Sequence, residues 1–224
     1  MLSAIVVAAG KGRRLKLGVS KPLVRIGKFP VLYYSLDVLD RHPDVGAIVV
    51  VANKENRRQV ALLVEKYSFR KVKEVVLGGK HRQDSVYRGL QASSGSDWVL
   101  IHDAARPFID RGMVGAVVRA AKKSGAAITA VKPKATIKVS GKDNIVRETL
   151  KRDELWEVQT PQVFRRAALE EAYLKHGNGR VTDDASLAEK LGLKVKVVPG
   201  SYDNIKITTG EDLLLAALIV KRVK

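Results

Sequence analysis

Apolar residues along this chain fall into two alternating patterns. Short runs rich in β-branched residues, Ser3–Ala8 (SAIVVA), Ala47–Val51 (AIVVV), Val72–Leu77 and Trp98–His102, show little polar alternation. Such runs predict strands buried on both faces. Between them lie stretches with apolar residues every three or four positions. Lys54–Tyr67 follows Asn53, an expected N-cap, and Arg111–Lys123 sits between Asp110 as cap and Gly125 as stop. These features predict helices. Strand, helix, strand, helix at this spacing implies an α/β fold with a mostly parallel sheet covered on both faces, and 224 residues suffice for one large domain or two small ones.

The pattern breaks between 132 and 155. Thr136–Ser140 and Ile145–Thr149 alternate polar and apolar residues around Gly141-Lys142-Asp143-Asn144, which predicts an inserted β-hairpin. A hairpin has two open edges and little core of its own, so it is expected to lean on a second subunit. Beyond it, Arg165–His176, Thr182–Leu191 and Thr209–Val220 predict helices, and Lys194–Val198 and Ile205–Ile207 predict strands.

Composition narrows the function. At 224 residues, 46% hydrophobic and 29% charged, the chain is an ordinary globular sequence. It has no cysteine, which removes disulfides, thiolate metal sites and cysteine nucleophiles; four histidines without an acidic cluster give no pattern for a transition metal. The basic cluster Lys11, Arg13 and Arg14 follows the first apolar run instead of preceding it, the reverse of a signal peptide. Apolar runs near Val45–Ala52 and Leu213–Val220 reach eight residues, too few to cross a bilayer, so the expected location is the cytoplasm.

Forty-one Lys and Arg against 23 Asp and Glu give a net charge of +18. That excess suits polyanionic partners, either nucleic acid or phosphorylated small molecules, or a solvated lysine-rich surface. The cations are spread along the chain, aromatics make up 5%, and no RNA-binding motif interleaves them. A nucleic-acid-binding protein would show steep salt-dependent affinity, and it would leave the glycine-rich segments unexplained.

The clearest of those segments is Val7-Ala8-Ala9-Gly10-Lys11-Gly12-Arg13-Arg14-Leu15, directly after the first strand. Small residues let backbone N–H groups approach a phosphate closely, and in open α/β sheets ligands sit at the carboxyl ends of strands. It is neither a Walker A loop nor a G-x-G-x-x-G fingerprint. The bare pattern fits a phosphate loop and also a strand–turn with solvated charges.

A-A-G-x-G-x-R followed by Lys21 resembles the start of the cytidylyltransferases acting on 2-C-methyl-D-erythritol 4-phosphate. The likeness continues in order through Gly78-Gly79-Lys80-His81-Arg82-Gln83-Asp84-Ser85-Val86, His102-Asp103-Ala104-Ala105-Arg106-Pro107, Thr160-Pro161-Gln162, Thr182-Asp183-Asp184-Ala185 and Asp203-Asn204-Ile205-Lys206. The resemblance implies a single doubly wound, Rossmann-like α/β domain over 1–224, with a mixed, mostly parallel sheet, whose β-arm, residues 132–155, clasps a second subunit. It also implies Mg²⁺-dependent condensation of CTP with the polyol phosphate, releasing pyrophosphate, for isoprenoid precursor synthesis by the non-mevalonate route. Ribitol 5-phosphate cytidylyltransferases share much of the pattern and are the nearest alternative.

That chemistry brings two anions together. Unit charges about 4 Å apart repel by ~1 kcal/mol in water and ~4 kcal/mol at a protein-like dielectric. Several fixed cations are therefore needed, whereas the attacking phosphate is already ionised and needs no strong base. By resemblance, Arg14 and Lys21 bracket the α-phosphate. Asp103 holds Mg²⁺, while Ala8, Ala9, Gly10, Gly12, Gly79, Ser85, Ala104 and Arg106 line the nucleotide site. Lys206, Arg152, Thr136 and Asp203 serve the acceptor, with Thr136 and Arg152 reaching the partner's site. Two positions depart from the family: Ser20-Lys21-Pro22 replaces P-K-Q, and Lys80 stands where an acidic residue is frequent. Residue by residue other readings stay open: Asp103 as a turn cap or a partner of Arg106, His102 as strand packing, and Thr182-Asp183 as a helix cap.

Overall fold

The computed structural model describes residues 1–10, 20–177 and 181–222. In chain order the elements are β1 (Leu2–Val7), β2 (Arg25–Ile26), β3 (Phe29–Pro30), α1 (Val31–Asp40), β4 (Val45–Ala52), α2 (Arg57–Lys66), β5 (Val72–Leu77), α3 (Arg82–Ala92) and β6 (Trp98–Asp103). They continue with α4 (Arg111–Ser124), β7 (Ala126–Val131), β8 (Lys138–Ser140), β9 (Val146–Thr149), β10 (Glu157–Arg165), α5 (Arg166–His176), α6 (Ala185–Lys190), β11 (Val195–Pro199) and α7 (Gly210–Arg222).

Seven strands form one sheet in the order β11-β7-β10-β6-β1-β4-β5. All neighbours are parallel except β10, which runs antiparallel to both β6 and β7. The four expected strands of the first half are β1, β4, β5 and β6. Their side chains alternate between two cores. Ala4, Val6, Ile48, Val50 and Leu100 face α1, α2 and α4, while Ile5, Val49, Val51, Val99 and Ile101 face α3, α5 and α6. Burial on both faces explains the continuous apolar runs. A smaller cluster of Ile26, Val31, Ile207, Ala216 and Val220 seats α7 against β2.

Local chemistry sets the helix ends. Asp110 accepts from the Met113 N–H at 2.8 Å, and Gly125 ends α4 with φ +90°, as expected of both. Asn53 differs from expectation. The helix begins three residues later, because the Asn53 side chain accepts from the backbone N–H groups of Glu55 and Asn56 and holds a turn before it.

The hairpin is present as β8 and β9, paired antiparallel from Lys138↔Thr149, and every residue of both strands is exposed. Thr136 lies outside the strand. Ile205–Ile207 does not form a strand. The segment makes a single sheet-like contact, Ile207 N–H to the Ala105 carbonyl at 2.8 Å, while the Ile205 N–H turns back to Asp203. It follows the loop after β6 instead of joining the sheet, which brings Lys206 to the strand end.

Candidate active site

In this strand order the chain first winds outward from β1 through β4 to β5, then returns to the other side of β1 with β6. The crevice between the carboxyl ends of β1 and β6 is thus the switch point of the sheet, where a ligand fits between diverging loops. Val7 pairs with Asp103 there. The Ala104 N–H donates to the Val7 carbonyl at 3.1 Å, so the segments Ala8–Gly10 and Ala104–Arg106 leave the sheet side by side.

An open pocket of about 400 Å³ lies at this end; among the residues lining it are Arg82, Asp103, Arg106, Thr160 and Lys206. Asp103, the last residue of β6, is its charged centre. The Arg82 Nε donates to Asp103 Oδ1 at 2.9 Å and the Lys206 Nζ to Oδ2 at 2.6 Å. Burial alone would raise the Asp103 carboxyl, but these two cations outweigh it and hold it well below the usual carboxylate range. Asp103 is therefore a carboxylate, and its ion partners are Arg82 and Lys206, not Arg106.

Arg106 instead joins segments. Its Nη1 donates to the Asn204 carbonyl at 2.7 Å and its Nη2 to the Val158 carbonyl at 3.3 Å. Burial lowers its pKa from the ordinary arginine value, and it remains a cation in the pocket wall. His102 is packing, as the strand reading expects. It is fully buried, and burial lowers it to about 4. Its Nε2 lies 2.9 Å from the Arg106 carbonyl and its Nδ1 lies 3.1 Å from the Thr160 hydroxyl. The carbonyl requires the proton on Nε2, so Thr160 donates to Nδ1 while its oxygen accepts from the Asp103 N–H at 3.1 Å. The chain of bonds fixes the H-D-A-A-R-P turn against β10.

The loop after β5 closes on the first loop and α3, outside the residues that line this pocket. A Cβ on Gly78 would lie 2.6 Å from the Ser85 hydroxyl and 2.8 Å from Ala9 Cβ, and one on Gly79 would strike Asp84. Only glycines allow this close approach between the first loop and α3. Ser85 is buried and receives the Gly79 N–H at 3.2 Å. Asn56 and Asn53 donate to the carbonyls of Ala8 and Ala9, and Asn56 also to the Ser20 hydroxyl at 2.8 Å. These two asparagines, with Arg82 and Thr160, support the site without having been assigned a role from sequence. Arg82 and Thr160 stood inside recognised motifs, whereas the asparagines carried no signal beyond helix capping.

Gly12 and Arg14 lie outside the described residues. Lys21 opens a short 3₁₀ turn, Lys21–Leu23, in which Pro22 is buried. Lys80 is exposed. Asp183 caps α6 through the Ser186 N–H at 3.1 Å, as the cap reading expects, and its other oxygen accepts from Gln162 at 3.0 Å within the pocket wall. Asp203 is ion-paired with Arg222 of α7. Thr136 and Arg152 are exposed at the base of the hairpin, where Arg152 donates to the Lys134 carbonyl at 3.1 Å; neither lines the pocket of its own chain.

Small residues leaving β1 beside a cation-clamped carboxylate, at the switch point of a mixed sheet, define a phosphate-handling enzyme of the nucleotidyltransferase type. Residues 2–222 match the profile of the 2-C-methyl-D-erythritol 4-phosphate cytidylyltransferases. Proteins of that name from Dehalococcoides mccartyi and Halalkalibacterium halodurans are each 43% identical over 221 residues. The alignments cover 99% and 97% of this chain and 96% of each relative. The crystal structure of 4-diphosphocytidyl-2C-methyl-D-erythritol synthase from Anaerococcus prevotii superposes with a TM-score of 0.89 at 35% identity, covering 99% of this chain and 96% of that one. The Thermus thermophilus cytidylyltransferase gives 0.78 at 30% identity, over 97% and 98%. The chain belongs to the 2-C-methyl-D-erythritol 4-phosphate cytidylyltransferase family. It is a CTP-dependent cytidylyltransferase of the isoprenoid precursor route.

Proposed function

We propose that this chain joins CTP to 2-C-methyl-D-erythritol 4-phosphate at the β1/β6 crevice, with the following division of labour. A phosphate oxygen of the acceptor attacks the α-phosphorus of CTP, the new P–O bond forms, and the bond to the β-phosphate breaks to release pyrophosphate. Arg14 and Lys21 bracket the α-phosphorus; Arg suits a two-oxygen fork and Lys a point charge. Ala8, Ala9, Gly10, Gly12, Gly79, Ser85 and Ala104 form the nucleotide cradle. Arg106 adds positive charge at its wall.

The observation that carries this reading is the pairing of Asp103 with two cations inside the pocket. Among the described residues no cluster of three or more His, Cys, Asp or Glu is placed to hold a metal. An ionised carboxylate facing an open pocket fits Mg²⁺, which takes one or two carboxylates and completes its shell with phosphate oxygens and water. Asp103 would hold it. When bound, the ion neutralises charge on the triphosphate and the leaving pyrophosphate. Lys206, its side chain 42% exposed, is the cation that meets the acceptor phosphate. Thr136 and Arg152 of a second copy complete the acceptor site through the hairpin, and Asp203 faces the acceptor hydroxyls. The partner is thus a second copy of the chain, and nucleic acid has no part. Among the described residues no helix is long and apolar enough to cross a membrane, which supports a cytoplasmic enzyme.

The test is an acceptor and nucleotide screen of the purified protein with Mg²⁺, following pyrophosphate release and product mass. Turnover of CTP with 2-C-methyl-D-erythritol 4-phosphate is expected. Turnover with ribitol 5-phosphate alone would overturn the acceptor.

A further inference from the structure

A line of polar groups runs from Asp103 and Arg82 in the pocket wall back to α5 and α6. Arg82, the first residue of α3, spans two carboxylates with one guanidinium: its Nε meets Asp103 Oδ1 at 2.9 Å and its Nη1 meets Asp184 Oδ2 at 2.8 Å. Asp184 precedes α6, and its side chain is 1% exposed. Its second oxygen accepts from the Tyr173 hydroxyl of α5 at 2.6 Å. Next to Arg82, Gln83 donates to the Gly177 carbonyl at 2.9 Å and accepts from the Val181 N–H at 3.3 Å, holding the α5–α6 connection against α3.

The two aspartates, Arg82 and Lys206 sum to zero charge. Within that set Asp184 is the most deeply buried, and a buried carboxylate stripped of its cation is costly. The guanidinium is therefore anchored by Asp184 rather than by Asp103. Because the guanidinium is planar and rigid, fixing Nη1 also fixes where Nε points. The Asp103 carboxylate is then oriented from behind, through an arginine whose anchor, Asp184, lies 102 positions from it in the chain.

We propose that Tyr173, Asp184 and Arg82 are positioning residues for the reaction. They form a strut that sets the orientation of the Asp103 carboxylate, leaving Oδ2 to be shared between Lys206 and the metal–nucleotide complex. The proposal rests on the reading of Asp103 as the metal carboxylate. It differs from a purely structural role because loosening the strut alters how a metal is held even where the fold is intact.

The experiment uses the full-length enzyme and the variants Tyr173→Phe, Asp184→Asn and Arg82→Lys. Three quantities are read: the Mg²⁺ concentration giving half-maximal rate, the binding of Mn²⁺ by electron paramagnetic resonance with CTP and no acceptor, and the melting temperature. Asp184→Asn is expected to raise the Mg²⁺ requirement and weaken Mn²⁺ binding about 10–100-fold, the usual effect of losing a partner that orients a metal ligand. Tyr173→Phe removes one hydroxyl and shifts both quantities in the same direction by a smaller factor while melting close to wild type. Arg82→Lys does not restore them, since an ammonium cannot span two carboxylates at a fixed angle. Unchanged Mn²⁺ affinity and Mg²⁺ requirement in both Tyr173→Phe and Asp184→Asn would overturn the strut, as would full rescue by lysine. A wild-type enzyme that binds Mn²⁺ with CTP yet turns over no acceptor would sink the proposed reaction and leave the strut to be judged on metal binding.

Discussion

The crevice between β1 and β6 and the hairpin β8–β9 solve opposite problems. At the crevice, charged and polar groups are partly or fully buried and cross-braced: Asp103 by two cations, Asp184 by Arg82 and a tyrosine, His102 by Thr160 and a carbonyl. In the hairpin every residue of both strands is exposed, and apolar Val139, Ile145 and Val146 face outward at 40%, 65% and 55%. The first region is held by contacts within one chain. The second has no core of its own, so its order depends on what it leans against. The crevice is braced by its own chain; the hairpin is the element that the proposed second copy would cover.

The contrast is broken most severely in the core beneath the crevice. Leu100 is fully buried in β6, three residues before Asp103. Leu100→Ala should cost about 2–5 kcal/mol in chemical denaturation, whereas Val146→Ala in the hairpin should stay within about 0.5 kcal/mol. Equal losses would show that the hairpin shares the core's cooperativity.

Lys21→Ala or Arg14→Ala should lower kcat about 10²–10³-fold, as does losing one preorganised group at a developing charge, while CTP still binds. Steady-state kinetics with nucleotide binding measured separately decide this, and an unchanged kcat removes that residue from the transition state.

Acid should loosen the crevice before it affects the hairpin. His102 is held at about 4 when folded, against 6.5 when unfolded. Between those values the unfolded chain binds the proton and the folded chain does not, so stability falls as pH drops from 6.5 toward 4. The slope is about 1.4 kcal/mol per pH unit at most. Asp103, depressed when folded, adds its own loss only below the ordinary carboxylate value of 3.8. Denaturation midpoints across pH 7 to 4 test the first window, and His102→Gln should shrink it, leaving the share of His42, which burial also lowers.

The smallest expected effect is the most specific to the hairpin. Arg152→Ala and Lys206→Ala enzymes, each inactive, should regain about a quarter of wild-type activity when unfolded and refolded together in equal amounts. Half of the dimers are then mixed, and one of the two sites in each carries both intact residues. No recovery would count against a site shared between two copies, because both residues would then come from one chain.

Much of this was legible in the chain. The two-faced strands followed from Ser3–Ala8 and Trp98–His102, and α4 from Asp110 and Gly125, because each depends on neighbours a few residues away. The hairpin was legible from its alternation. β10 was not: Glu157–Arg165 contains Thr160-Pro161-Gln162 and reads as polar, yet it enters the middle of the sheet because β6 and β7 supply its partners.

The sequence by itself therefore determined the period, the caps, the family motifs and which residue types could meet a phosphate. Only the tertiary structure decided that Arg82 bridges carboxylates 21 and 102 positions away, that Arg106 holds backbone instead of Asp103, and that 205–207 runs beside the β6 loop without joining the sheet. Periodicity and capping act over one or two turns of chain. Ion pairing acts over a few ångströms of space, and which charges come that close is settled only when the sheet order is formed.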